Sequence, residues 1–78
     1  MKITVHGMLC DFDPAGKKDK QGNPVPTVDL YSGGEVVKIK GVNAKKEQIG
    51  SYFDILCDFE LIEYNNKIYK VFSACKEQ

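Results

Sequence analysis

The chain contains no arginine and no tryptophan, a single histidine, three cysteines, and no apolar run longer than three residues. Without arginine there is no planar guanidinium fork for bidentate recognition, so lysine ammonium groups supply all the fixed positive charge. The short apolar runs exclude a transmembrane helix and a signal-peptide core. Met1 leads directly into strand-like sequence, and the expectation is a complete, cytoplasmic chain. Cys10, Cys57 and Cys75 are odd in number, widely spaced and without a CxxC pair. A small secreted domain stapled by disulfides usually carries an even set, so three free thiols are expected. His6 and these scattered thiols match no zinc-ligand spacing, and neither a metal nor a cofactor is expected.

Net charge is absent too, with 11 lysines against 11 acidic residues. Proteins that coat nucleic acid are usually basic, which makes the distribution of charge more informative here than its sum. Catalytic signatures are also missing: the chain has no GxSxG, no phosphate-cradling glycine loop ending in GK[ST] and no HExxH. His6 reads as a half-buried structural residue on a strand. Asp54, Asp58 and Glu60 alternate along another strand and read as a solvated face rather than a catalytic acid pair. The chain is not expected to be an enzyme.

What is present is 78 residues, 42% hydrophobic, with eight aromatics. That is enough for one domain over residues 1–78 with a thin core, and too hydrophobic for disorder. The dominant period is two. Residues 2–10 place Ile3, Val5, Gly7 and Leu9 on one face and Lys2, Thr4, His6, Met8 and Cys10 on the other. Residues 11–26, DFDPAGKKDKQGNPVP, hold three prolines and two glycines, and read as a long loop or floppy hairpin arm. Strand character resumes at 27–31 with Val28 and Leu30 inward, and at 35–40 with Val37 and Ile39 inward. Gly33-Gly34 forms the turn between them. Residues 41–50 contain AKKEQI, long enough for one helical turn.

The longest strand candidate spans 51–64. It has Phe53, Ile55, Cys57, Phe59 and Leu61 on a core face, and a bulge is expected where Ile62 breaks the polar parity. Asn65-Asn66 reads as a two-residue turn into a last strand at 67–74, and residues 75–78 as a polar tail. The predicted fold is therefore all-β: a five-stranded antiparallel OB-like barrel. It has a long flexible arm between strands 1 and 2 and a short helical turn between strands 3 and 4.

Charge is segregated along the chain. Residues 15–50 hold seven lysines against four acids, a net +3, whereas residues 51–66 hold four acids and no lysine. Exposed tyrosines accompany the basic part: Tyr31 and Tyr52 fall opposite the core parity, and Tyr64 and Tyr69 flank the last hairpin. Bases stack on such rings for roughly 1–3 kcal/mol each, while lysines follow the phosphates.

The order of these segments carries a resemblance. A lysine-rich arm (Lys17, Lys18, Lys20) ends in Gln21-Gly22-Asn23-Pro24. After it come Val28-Asp29-Leu30, Val37-Lys38-Ile39, Gly50-Ser51-Tyr52 and Leu56-Cys57-Asp58-Phe59. In that order the chain resembles the gene V protein family of filamentous phages, small single-stranded-DNA-binding proteins on an OB-type barrel. The arm carries lysine where that family places arginine. The resemblance implies a DNA-binding arm and a homodimer whose interface includes Tyr64, Asn65, Asn66 and Lys67.

Residues and resemblance together give a sequence-tolerant single-stranded-DNA-binding protein acting in replication of a phage, plasmid or conjugative element, with RNA not distinguished from DNA. Lys17, Lys18, Lys20, Gln21, Asn23, Tyr31, Lys38, Lys40 and Tyr52 are its expected binding residues. The alternative is a small protein-interaction module on the same barrel, favoured by zero net charge and the acidic fourth strand.

Overall fold

A computed structural model describes residues 1–75. The expected polar tail lies outside the described residues from position 76 onward. Five strands form: β1 (Lys2–Lys18), β2 (Pro24–Ser32), β3 (Glu35–Lys40), β4 (Tyr52–Tyr64) and β5 (Lys67–Ala74). A single 3-10 turn, η1 (Lys46–Gln48), sits between β3 and β4, where one helical turn was expected. The strands close in a ring in the order β1-β2-β3-β5-β4.

Period-two sequence explains the ring's interior. Val5 and Leu9 of β1, Val28 and Leu30 of β2, Val37 and Ile39 of β3, and Ile55 and Cys57 of β4 point inward and are buried. Ala44 joins this cluster, and Phe12, Phe53 and Phe72 pack against it. Two tight turns fall where the sequence places residues that tolerate positive φ. Gly33 and Gly34 take φ of 60° and 86°, and Asn65 and Asn66 take 52° and 64°. Each closes a hairpin, with Ser32 opposite Glu35 and Tyr64 opposite Lys67.

Four expectations are corrected. The segment read as a long loop or floppy hairpin arm is not a loop but a paired hairpin: β1 continues to Lys18 and pairs with β2 as far as Lys18 opposite Pro24, leaving a short tip at residues 19–23. Prolines did not prevent this because Pro14 falls within a register shift between Asp13 and Lys17, where no ladder donor is needed. The ring is not wholly antiparallel, since β3 and β5 pair in parallel, Ile39 opposite Phe72 and Lys40 opposite Ser73. No bulge occurs at Ile62; the β4–β5 register runs unbroken from Cys57–Ala74 to Tyr64–Lys67. The register shifts lie in β1 instead, between Leu9 and Asp11 and between Asp13 and Lys17.

Leu61 is the fourth correction, because it has core parity yet is 62% exposed. The pairing of β1 with β4 stops at Lys2 opposite Asp58. Beyond it β4 pairs only with β5 among the described residues, and the two run on as a two-stranded ribbon. Leu61 has the right parity and lies past the end of the core.

Candidate nucleic-acid interface

The bends in β1 decide where the expected binding residues fall. At the second bend the arm closes onto β2: a Cβ on Gly16 would lie 2.5 Å from Thr27 Oγ1. Only glycine permits that approach, and it leaves Thr27, outward by parity, 2% exposed. Lys17 follows directly and lines a cleft with Lys38 and Lys40 of β3 and Lys70, Val71 and Phe72 of β5. The cleft encloses about 170 Å³.

Four lysines from three strands therefore line one small space. Lys38 Nζ meets Asp29 Oδ1 at 3.1 Å, and Lys70 Nζ meets Glu35 Oε1 at 3.6 Å. Asp29 Oδ1 is screened from solvent, and its contact with Lys38 is an ion pair without hydrogen-bond alignment. Lys17 and Lys40 have no ion-pair partner among the described residues, so the cleft keeps an excess of two positive charges. It opens into a groove of about 400 Å³ between the first half of β3 and the ribbon, lined by Val36, Ile68 and Tyr69 among others. Lys38, Lys70 and Phe72 border both spaces.

Tyr31 and Tyr52 lie together elsewhere on the outer surface. Met8 is the residue at which β1 changes partner; it stands opposite Tyr31 of β2 and Tyr52 of β4. Val36 lies opposite Tyr31 on the far side. The result is a row across four strands, Val36-Tyr31-Met8-Tyr52, in which the two rings are 51% and 69% exposed. Lys38 is two residues along β3 from Val36, and links the row to the cleft.

The arm tip forms a third group. Asp19 Oδ1 accepts hydrogen bonds from the backbone N–H groups of Gln21 and Asn23, both at 2.9 Å, and Asp19 N–H donates to Asn23 O at 3.0 Å. Lys18, Lys20, Gln21 and Asn23 are exposed on this locally wired turn, and of the arm residues only Lys17 lines the cleft. At the other hairpin, Tyr64, Asn65, Asn66 and Lys67 are all exposed at the tip of the ribbon.

His6 is not half-buried: its side chain is 67% exposed. It stands opposite Asp54 in the β1–β4 register, with Nδ1 bonded to the Asp54 carboxylate. Its ring meets Tyr52 edge-on, centroids 6.0 Å apart. Elsewhere on β4, Asp58 Oδ1 accepts a hydrogen bond from Lys2 Nζ at 3.1 Å. That bond holds the lysine above its ordinary pKa and the carboxyl below its own. Burial raises the Cys57 thiol. No disulfide joins the three cysteines among the described residues.

Lys70 and Met8 are the additions to the expected site. Lys70 reaches the cleft through the parallel β3–β5 seam, a long-range pairing that no local pattern announces. Met8 did carry a signal, as an apolar residue on the polar parity of β1. No family model matches the chain, and neither a curated protein nor a solved structure does.

Proposed function

We propose that this is a non-enzymatic, sequence-tolerant single-stranded-nucleic-acid-binding protein on an OB-like barrel, acting in the cytoplasm in replication of a phage, plasmid or conjugative element. The observation that carries the reading is the convergence of Lys17, Lys38, Lys40 and Lys70, from three strands, on one cleft holding two unneutralised charges. Such a cluster is costly through self-repulsion unless an anion occupies it, and a phosphodiester has the charge and size to do so. Tyr31 and Tyr52, flanking Met8 on the same outer surface, supply stacking platforms for bases. The strand order, the parallel seam and the turn between β3 and β4 support the OB-like assignment.

In this reading Lys17, Lys38, Lys40 and Lys70 follow the backbone, and Lys18, Lys20, Gln21 and Asn23 extend the contact along the arm. The ribbon supports a homodimer of the gene V kind: Leu61, Ile62, Tyr64, Ile68 and Tyr69 are 44–68% exposed on it, beside Asn65, Asn66 and Lys67.

Fluorescence anisotropy with labelled oligo-dT tests the proposal. Two or more phosphates neutralised in the cleft give a log K against log salt slope of about −1.4 or steeper. Lys40→Gln makes that slope shallower by about 0.7. Absence of binding at low salt overturns the reading and turns attention to a protein partner for the ribbon.

A further inference from the structure

His6 has no part in the binding set described so far, yet its surroundings are built rather than incidental. Backbone register sets it directly opposite Asp54, and the carboxylate takes Nδ1, which fixes the ring's orientation. Tyr52 packs edge-on against the same ring. On the β2 side, Ser32 Oγ donates to the His6 backbone oxygen at 2.7 Å. The imidazole edge carrying Nε2 has no hydrogen-bond partner among the described residues.

We infer that His6, held by Asp54, is a phosphate-recognition point beside the stacking pair Tyr31 and Tyr52, acting when the imidazole carries its second proton. This rests on the nucleic-acid reading above. With a neutral ring, the His6–Asp54 pair presents one net negative charge to a passing strand and repels its backbone. With the imidazolium the pair is neutral overall, and Nε2–H becomes a donor to a phosphodiester oxygen. Imidazole is the side chain that changes charge between about pH 5 and 8.

The groups facing it come from three elements. From β4 they are Asp54 and Tyr52, from β2 the uncharged Ser32, and from β1 itself Thr4 and Met8 on the same face. The next charges, Lys2 with Asp58 and Glu35 with Lys70, are already engaged with each other.

The test is oligo-dT binding at about pH 8 and pH 5.5, over a salt series, because neither thymine nor a phosphodiester changes charge in that interval. The native chain is expected to bind about three- to tenfold tighter at the lower pH, with a salt slope steeper by about 0.7, one further phosphate. His6→Gln, at an exposed site and with its fold checked by circular dichroism, is expected to bind with the same affinity and slope at both values. Asp54→Asn is expected to strengthen binding at pH 8 about two- to fivefold. Binding by the native chain that does not change with pH, or a pH response that survives in His6→Gln, overturns the inference and leaves the cleft reading intact. No binding at either pH and low salt overturns both.

Discussion

The three thiols sit in three different environments, and their chemistry follows from them. Cys57 is fully buried in the core, and desolvation raises its pKa, so the nucleophilic thiolate is scarce and unreachable. Cys10 is exposed on the outer side of β1, its Sγ 3.3 Å from the Asp29 carbonyl oxygen. Under native conditions a maleimide or iodoacetamide reagent is expected to label Cys10 readily and to spare Cys57 until denaturant is added. Peptide mass mapping of the labelled protein checks this, and early modification of Cys57 would show that β4 opens easily. Desolvation raises the Cys57 thiol, so Cys57 is expected to stay unlabelled in the native protein as the pH is raised. The core parity of Cys57 was plain in the sequence, as it was for Leu30, Ile39 and Ile55. Exposure of His6 was not, since parity assigns a face and says nothing about how much of that face is covered.

At the level of elements, the arm shows how a local rule is overridden. Three prolines and two glycines in sixteen residues read as a breaker. The chain nevertheless stays paired by putting Pro14 into a bulge and Pro24 opposite Lys18 near the end of the ladder. Gly16 is the residue on which the cleft depends, because a side chain there strikes Thr27. Gly16→Ala is expected to lift the arm and move Lys17 away from Lys38 and Lys40. Affinity for oligo-dT should fall several-fold while the urea midpoint changes little, since the core residues are untouched. Equal losses in binding and stability would mean that the arm is part of the folding unit. The hairpin turns were legible because Gly-Gly and Asn-Asn have few other uses. The parallel β3–β5 pairing was not, because it joins residues more than thirty positions apart and leaves no short-range trace. With it went the placement of Lys70, and hence the cleft as a single site.

Across the whole molecule, a thin ring carries two projections, the arm and the β4–β5 ribbon. The ribbon exposes Leu61 and Ile68 at 62% and 68%, with Tyr64 and Tyr69 on the opposite face. An isolated two-stranded ribbon is marginal in water, and burial of its apolar residues at about 25 cal/mol per Å² gives self-association a driving force. Light scattering at high concentration is expected to return twice 8.7 kDa for the native chain. The double variant Leu61→Ser, Ile68→Ser is expected to return the single mass with its circular dichroism unchanged. A native chain that stays at the single mass throughout would rule out the ribbon as a contact between copies.

The parallel seam has a further consequence. The ring is shut between β3 and β5 by only two residue pairs, Ile39–Phe72 and Lys40–Ser73, against seven or eight at the neighbouring antiparallel joints of β4. With the fewest paired residues of the ring's joints, it is expected to open first. Lys38 and Lys40 stand on one lip of that joint and Lys70 on the other. On the proposed reading, an anion held by both lips would act as a clasp, making occupancy of the cleft and closure of the ring one equilibrium.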